Sequence, residues 1–271
     1  MIFFDTIYRI FSVYPLPEAL LVARNYLRII VRNRWPFVSP YRERVLFYTV
    51  EFPYRPHFFG MVSEIFFRRL YRLPDKKIKT IIDGGANIGL ATLYFKWRHP
   101  EARVLCFEPN PEACAFLEKN ISGNHLSGVK IFPYALGKTN GQAQLFTSSR
   151  IKGSSSASTI PPRDMERDFT VPMRRLSEFV DSTVDLLKLD VEGAEGDILA
   201  DLEASGKLPF VRNIILEYHQ YEPAQGILMG NLFSLLDRNG FQYLCFPLFA
   251  HVNFETPRGL RQYMIYAHKP T

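Results

Sequence analysis

Thr80-Ile81-Ile82-Asp83-Gly84-Gly85-Ala86-Asn87-Ile88-Gly89 reads as a short buried strand, a glycine-rich turn and the opening of a helix. Glycines let the backbone turn sharply and approach a ligand closely. The helix N-terminus presents unpaired N–H groups to polar or anionic atoms. The spacing is not that of a dinucleotide fingerprint, G-x-G-x-x-G, whose second glycine clears room for a pyrophosphate. Counted from Gly84, that slot holds Ala86; counted from Gly85, it holds Asn87 and the last glycine falls on Leu90. Asp83 at the strand end would repel a pyrophosphate and suits a cationic ligand.

Downstream, Cys106-Phe107-Glu108 closes a second strand with a carboxylate 19 residues after Gly89. A carboxylate there can accept hydrogen bonds from both ribose hydroxyls of a nucleoside. A lone glycine turn would be read as structural; Glu108 at this place makes a cofactor site the better reading. S-adenosyl-L-methionine carries an ammonium and a sulfonium, so the pattern D-x-G-x-N-x-G with an acidic second strand end favours it over NAD.

Apolar runs of strand length alternate with amphipathic helical stretches from residue 80 onward. Strands are expected at 80–83, 102–108, 129–136, 184–189, 211–217, 241–247 and 262–267. Helices are expected to about 97, over 111–121 with Pro111 in its first turn, and over 230–238, stopping at Asn239-Gly240. Alternation of this kind predicts a doubly wound α/β sheet, with ligands beyond the carboxyl ends of the strands. Residues 147–162, rich in serine and ending Pro161-Pro162, read as a mobile surface loop.

Two strand ends carry further ionisable groups. Lys188 and Asp190 share one face of the fourth strand, and Glu192 and Glu195 follow across Gly193. Glu195 reads as an ordinary first-turn acid favoured by the helix dipole, whereas Asp190 and Glu192 read as functional. Glu217 and His219 end the fifth strand on one face. His219 is a natural general base because its ordinary pKa is near neutrality. A structural histidine is an equal alternative, and a divalent-metal site of Asp190, Glu217 and His219 is a minor one.

The segments Ile81 to Gly89, Phe107-Glu108-Pro109-Asn110-Pro111, Ala135-Leu136-Gly137 and Leu187-Lys188-Leu189-Asp190-Val191-Glu192-Gly193-Ala194-Glu195 occur in that order. In them the chain resembles the FkbM family of S-adenosylmethionine-dependent methyltransferases, over roughly residues 80–219. The resemblance implies a class I methyltransferase fold: a seven-stranded sheet with one antiparallel strand. It implies O-methyl transfer to sugars, polyketides or other natural products. It places Asp83, Gly85 and Asn87 around the methionine end of the cofactor, with Gly84 and Gly89 also among the cofactor-binding residues, Glu108 at the ribose, and Asn110 and Ala135 near the adenine. Lys188, Asp190, Glu192 and His219 become the catalytic candidates, with no metal assigned. The family usually has an Asp after Arg-Leu before the catalytic strand; here Arg175-Leu176 is followed by Ser177, a change expected to be structural.

The chain has 271 residues, 47% hydrophobic and 22% charged, enough to bury a core, which rules out wholesale disorder. Cys106, Cys114 and Cys245 match neither zinc spacing nor a disulfide framework, so a reducing, cytoplasmic setting fits best. No stretch is long and apolar enough to span a bilayer, and the first residues lack the marks of a signal peptide. The net charge of +6 is uneven: residues 1–80 hold 14 Lys and Arg against 6 Asp and Glu, and 18 of the 39 aromatics. A global reading as a nucleic-acid binder is therefore weak.

Residues 1–79 are expected to form a mainly helical cap that shapes the acceptor pocket, with 80–271 as the cofactor-binding domain. In the cap, Arg24, Arg28 and Arg32 lie at i, i+4, i+8 on a helix over 16–34, a basic stripe suited to peripheral contact with an anionic membrane. Tyr48, Tyr54, His57 and Tyr71 could face the acceptor. The resulting expectation is an O-methyltransferase acting on a hydroxyl of a glycan or natural product. The alternatives are an RNA methyltransferase using Lys188 with Asp190, an NAD-dependent oxidoreductase, and a non-catalytic membrane-associated scaffold.

Overall fold

The computed structural model describes residues 2–33, 41–72, 77–147, 157–158, 166–220, 227–248 and 261–270. Two helices come first, α1 (Ile2–Val13) and α2 (Leu16–Asn33). Pro17 lies in the first turn of α2, where its missing N–H is not needed. An antiparallel hairpin follows, β1 (Arg42–Val45) and β2 (Tyr48–Glu51). Helix α3 (Arg55–Val62) then widens into a π-helical turn, Ser63–Phe67. The N-terminal segment is thus helical with an added hairpin.

The remaining elements are β3 (Thr80–Gly84), α4 (Leu90–Arg98), β4 (Arg103–Phe107), α5 (Pro111–Gly123), β5 (Val129–Phe132), β6 (Ala135–Gly137), β7 (Gly141–Thr147), β8 (Ala157–Ser158) and β9 (Glu166–Arg175), then β10 (Leu186–Leu189), α6 (Glu195–Ala204), β11 (Asn213–Gln220), α7 (Met229–Arg238), β12 (Gln242–Pro247) and β13 (Arg261–His268). Seven strands form the main sheet in the order β12-β13-β11-β10-β3-β4-β5. Strand β13 runs antiparallel to both β11 and β12, and the other adjacent pairs are parallel. This is the expected doubly wound class I methyltransferase sheet.

Side-chain alternation divides the sheet between two apolar layers. Ile81, Val104, Cys106, Leu186, Ile215 and Met264 pack with α4, α5 and the N-terminal elements. Ile82, Leu105, Phe107, Leu187, Leu189, Ile214, Leu216 and Ile265 pack with α6 and α7 on the other face. The N-terminal segment therefore shares a core with the sheet. Polar contacts reinforce the docking. Asn120 on α5 accepts from the Glu51 amide at 2.7 Å and donates to the Glu51 carbonyl at 3.0 Å and the Ile88 carbonyl at 2.8 Å. Asn124 exchanges the same pair of bonds with Thr49, at 2.8 Å each.

Two sequence expectations change. The strand expected at 129–136 divides after Phe132 because Pro133 has no N–H for the ladder, and Ala135–Gly137 joins a second, four-stranded sheet ordered β6-β9-β7-β8. Of the serine-rich stretch 147–162, Thr147 ends β7 and Ala157–Ser158 forms β8; the rest lies outside the described residues. The departure at Ser177 finds a structural answer. Its backbone N–H, at the start of a 3₁₀ turn, donates to Asp201 Oδ2 of α6 at 3.2 Å, so a carboxylate from elsewhere supplies the cap.

Candidate active site

The carboxyl ends of β3, β4, β10 and β11 bring the singled-out residues together. In the glycine turn, Gly85 has φ +75° and Gly89 φ +91°. A Cβ on Gly85 would lie 1.8 Å from the Asp190 carbonyl oxygen, and one on Gly89 2.7 Å from Leu117 Cδ1. The close approaches these glycines permit are thus to β10 and α5, which fixes the turn against the strand end that carries Asp190. Asn87 adopts φ +51°, and its side-chain oxygen accepts from the Ile88 N–H at 2.7 Å.

Glu108 follows β4. Its Oε2 accepts from the Asn87 N–H at 2.7 Å and its Oε1 from the Asn110 N–H at 2.8 Å, which ties the glycine turn to the start of α5. Burial pushes its pKa up to about 7, although both backbone donors work to lower it. Asn110 caps α5, its side-chain oxygen accepting from the Glu112 N–H at 2.9 Å and the Ala113 N–H at 3.4 Å. Ala135 packs with Ala143, Leu145 and Val171 in the core of the second sheet. The structure thus gives these two side chains structural partners.

Asp83 is fully buried. Its Oδ2 accepts from the Thr92 hydroxyl at 2.7 Å and its Oδ1 lies 3.2 Å from Lys188 Nζ. Lys188 also donates to the carbonyls of Gly84 and Gly85 at 3.2 and 2.7 Å. Burial opposes its charge, yet Asp83 and Asp190 hold its pKa above the ordinary lysine value. The ammonium is thereby committed to the turn, and the charge of Asp83 is met inside the protein.

Asp190, just past β10, is partly exposed. Its Oδ2 lies 3.8 Å from Lys188 Nζ and accepts from the Tyr71 hydroxyl at 3.5 Å. Tyr71 comes from the N-terminal segment, and the Lys188 ammonium sits 5.5 Å above its ring. Glu64, in the π-helical turn, also feels Asp190: burial foremost, with Asp190 adding, raises its pKa. Burial lowers the pKa of His57 against a smaller opposing pull from Asp190.

His219 is buried among carboxylates. Nδ1 is 2.9 Å from Glu195 Oε1 of α6, and Nε2 is 3.5 Å from Glu192 Oε2 and 3.6 Å from Glu217 Oε1. Burial opposes its charge, but Glu195, Glu217 and Glu192 lift its pKa well above the ordinary value. Glu195 thus holds Nδ1 and orients the ring, with Nε2 turned toward the other two carboxylates. Glu217 is pushed up to about 7 by burial, with Asp190 adding. Glu192 adopts φ +58°, a costly conformation for a residue with a side chain.

Glu195 was legible only as a first-turn acid; it also accepts from the N–H groups of Val191 and Gly193, at 3.0–3.2 Å, and orients His219. Glu64 and Thr92 carry no sequence motif and become visible as neighbours of the site only through the fold. A cavity of about 310 Å³ opens beside Glu217, lined also by Glu64, Arg68, Phe246, Gln262 and Tyr266. A larger one of about 500 Å³ lies at the amino end of β11, by Asn213 and His268, away from these carboxylates.

Comparison with known proteins gives the family. "Methyltransferase 1" of Beauveria bassiana is 29% identical over 57% of this chain and 71% of its own. "Methyltransferase sdnD" of Sordaria araneosa is 30% identical over 59% of this chain and 73% of its own. "2-O-methyltransferase NoeI" of Sinorhizobium fredii is 28% identical over 59% of this chain and 72% of its own. A family model described as the methyltransferase FkbM domain matches residues 83–243, from the glycine turn into β12. The chain belongs to the FkbM family of S-adenosylmethionine-dependent methyltransferases.

Proposed function

We propose that this methyltransferase moves the methyl group of S-adenosylmethionine onto a hydroxyl of a sugar, glycan or similar natural product. The observation that carries the reading is Asp190: a partly exposed carboxylate one strand from the glycine turn, between Lys188 and Tyr71. S-adenosylmethionine supplies the sulfonium methyl. Glu108 would accept hydrogen bonds from the ribose hydroxyls, and the backbone of the 85–89 turn would hold the methionine portion. Asp190 would take the hydroxyl proton as the acceptor oxygen bonds to the methyl carbon and the carbon–sulfur bond breaks. The mixture of carboxylates, Arg68, Gln262 and the half-exposed ring of Phe246 around the cavity suits a polyhydroxylated acceptor. The name of the NoeI relative supports an oxygen acceptor.

An RNA acceptor would need Lys188 turned toward a ribose hydroxyl, whereas its ammonium is bound to Asp83 and two carbonyls. Methyl transfer from labelled S-adenosylmethionine into sugar and glycan fractions tests the reading. Asp190→Asn should slow transfer about 10²–10⁴-fold while cofactor affinity holds. Incorporation into RNA alone would overturn it.

We also propose that the protein touches a membrane peripherally through α1 and α2. Phe4, Tyr8 and Phe11 on α1 and Leu16, Leu20, Leu27 and Val31 on α2 are exposed, the first two by 76% and 73%. Arg24 lies within the α2 stripe and Arg9 beside that of α1, both exposed. Arg28 and Arg32 instead turn to Glu43 of the hairpin, at 3.3 and 3.2 Å, so the basic stripe is shorter than its spacing implied. No described helix is long and apolar enough to cross a bilayer. An apolar face flanked by arginines suits an anionic lipid surface.

A further inference from the structure

The carboxylate pocket beyond the ends of β10 and β11 contains a buried polar atom that no group in the protein satisfies. His219 Nε2 has no hydrogen-bond partner, although the side chain is 1% exposed. The nitrogen is aimed between Glu192 Oε2 and Glu217 Oε1, at 3.5 and 3.6 Å, without hydrogen-bond geometry to either. The other ring nitrogen, Nδ1, is fixed at 2.9 Å from the fully buried Glu195. With Nδ1 held by Glu195, Nε2 is the nitrogen that faces the pocket, the orientation that metal-binding histidines take from their outer carboxylate, and a bound cation would displace its proton.

One ligand atom each from Asp190, Glu192 and His219 lies within 4.8 Å of the others. Opposite ligands on a first-row divalent cation sit about 4 Å apart, so side-chain rotation alone could close such a set. Asp190 and Glu192 are partly exposed, giving an ion a way in, while His219 forms the buried floor. The positive charge of Lys188 is spent largely on Asp83 and two carbonyls, and four carboxylates (Asp190, Glu192, Glu195 and Glu217) surround one imidazole. Four acids held this close call for a cation among them.

We propose that Asp190, Glu192 and Nε2 of His219 bind a divalent metal ion, with the remaining positions open to hydroxyls of the acceptor. Two carboxylates and one imidazole suit manganese, iron or zinc better than calcium, which prefers an all-oxygen shell. The assigned role rests on the methyl-transfer reading: the ion would hold the attacking hydroxyl and make it more acidic. Asp190 would ligate with one oxygen and take the proton on the other. The new bond is oxygen to methyl, the broken one methyl to sulfur, and the sulfonium becomes a neutral thioether. Binding of the ion itself does not depend on that role.

The test uses the full chain, stripped with a chelator and titrated with Mn²⁺, free ion being read by electron paramagnetic resonance. Wild type should take up one ion per chain, and Glu192→Gln and Asp190→Asn should each weaken it roughly tenfold or more. Both substitutions are at partly exposed side chains, and circular dichroism checks that the variants fold. S-adenosylmethionine affinity of Glu192→Gln, measured by calorimetry, should stay within about twofold, because Glu192 is placed outside the ribose site. Absence of saturable Mn²⁺ binding, or equal affinity in wild type and both variants, overturns the site. Mn²⁺ binding without S-adenosylmethionine binding would keep the site and sink the methyl-transfer reading; the reverse would do the opposite.

Discussion

Lys188 shows how far a residue's work can differ from its local sequence. Lys188-Leu189-Asp190 reads as two reactive groups on one strand face, and the face is as expected. The partner that decides the role of Lys188 is Asp83, 105 positions earlier in the chain, and only the parallel pairing of β10 with β3 brings the two opposite each other. Asp83 and Lys188 are both buried, so removing the lysine strands a carboxylate. Lys188→Met should therefore cost about 3–5 kcal/mol in chemical denaturation. An unchanged midpoint with lost turnover would instead make it a proton carrier. Glu108 was legible from its place at a strand end; its pKa, about 7, was not, because it follows from complete burial. A carboxyl whose folded pKa is raised favours the folded state when protonated. Its contribution is fully present below about 4.5 and fades as pH rises through about 7. Urea midpoints at pH 6 and pH 8 should show this loss in wild type and a smaller one in Glu108→Gln, where Glu217, pushed up to about 7, still titrates over the same range. Cofactor affinity should move the other way, weakening below pH 7, because the ionised form is the better acceptor for ribose hydroxyls.

Among the elements, those with continuous apolar runs were readable. Strands β3, β4 and β10 have both faces covered, so their sequences announce themselves. The second sheet was not readable: β7 mixes glycine and two glutamines with apolar residues, and Pro172 lies inside β9. Nor does sequence reveal that α5 receives the N-terminal hairpin. Asn120 and Asn124 sit one helical turn apart and act as surrogate strand partners for Glu51 and Thr49. Asn120 is almost completely buried with three hydrogen bonds, and Asn120→Ala leaves the Glu51 and Ile88 backbone groups short of partners. The expected loss is about 1–3 kcal/mol. Hydrogen exchange should show the amide of Glu51 opening faster in the variant, while the amides of β3 and β10 keep their protection. Equal acceleration throughout would mean that the hairpin and the sheet open as one unit.

At the scale of the whole molecule, the uneven charge of the sequence has a structural counterpart. The N-terminal segment buries one side against the sheet, contributes Tyr71 to the site, and leaves an apolar stripe facing outward. Leu20→Glu with Leu27→Glu should abolish flotation with anionic vesicles and leave thermal stability within about 1 kcal/mol, since both side chains are exposed. Binding to neutral vesicles equal to that to anionic ones would remove the arginines from the account. The central claim concerns the pocket at the strand ends, and calorimetric titration of the full chain with S-adenosylmethionine, its demethylated product and NAD tests it most directly. Wild type should bind both sulfur compounds at one site and NAD not at all. Glu108→Ala should lose at least about 2 kcal/mol of that affinity, as expected for charge-assisted hydrogen bonds. Binding of NAD alone, or S-adenosylmethionine binding that ignores the loss of Glu108, would contradict the account.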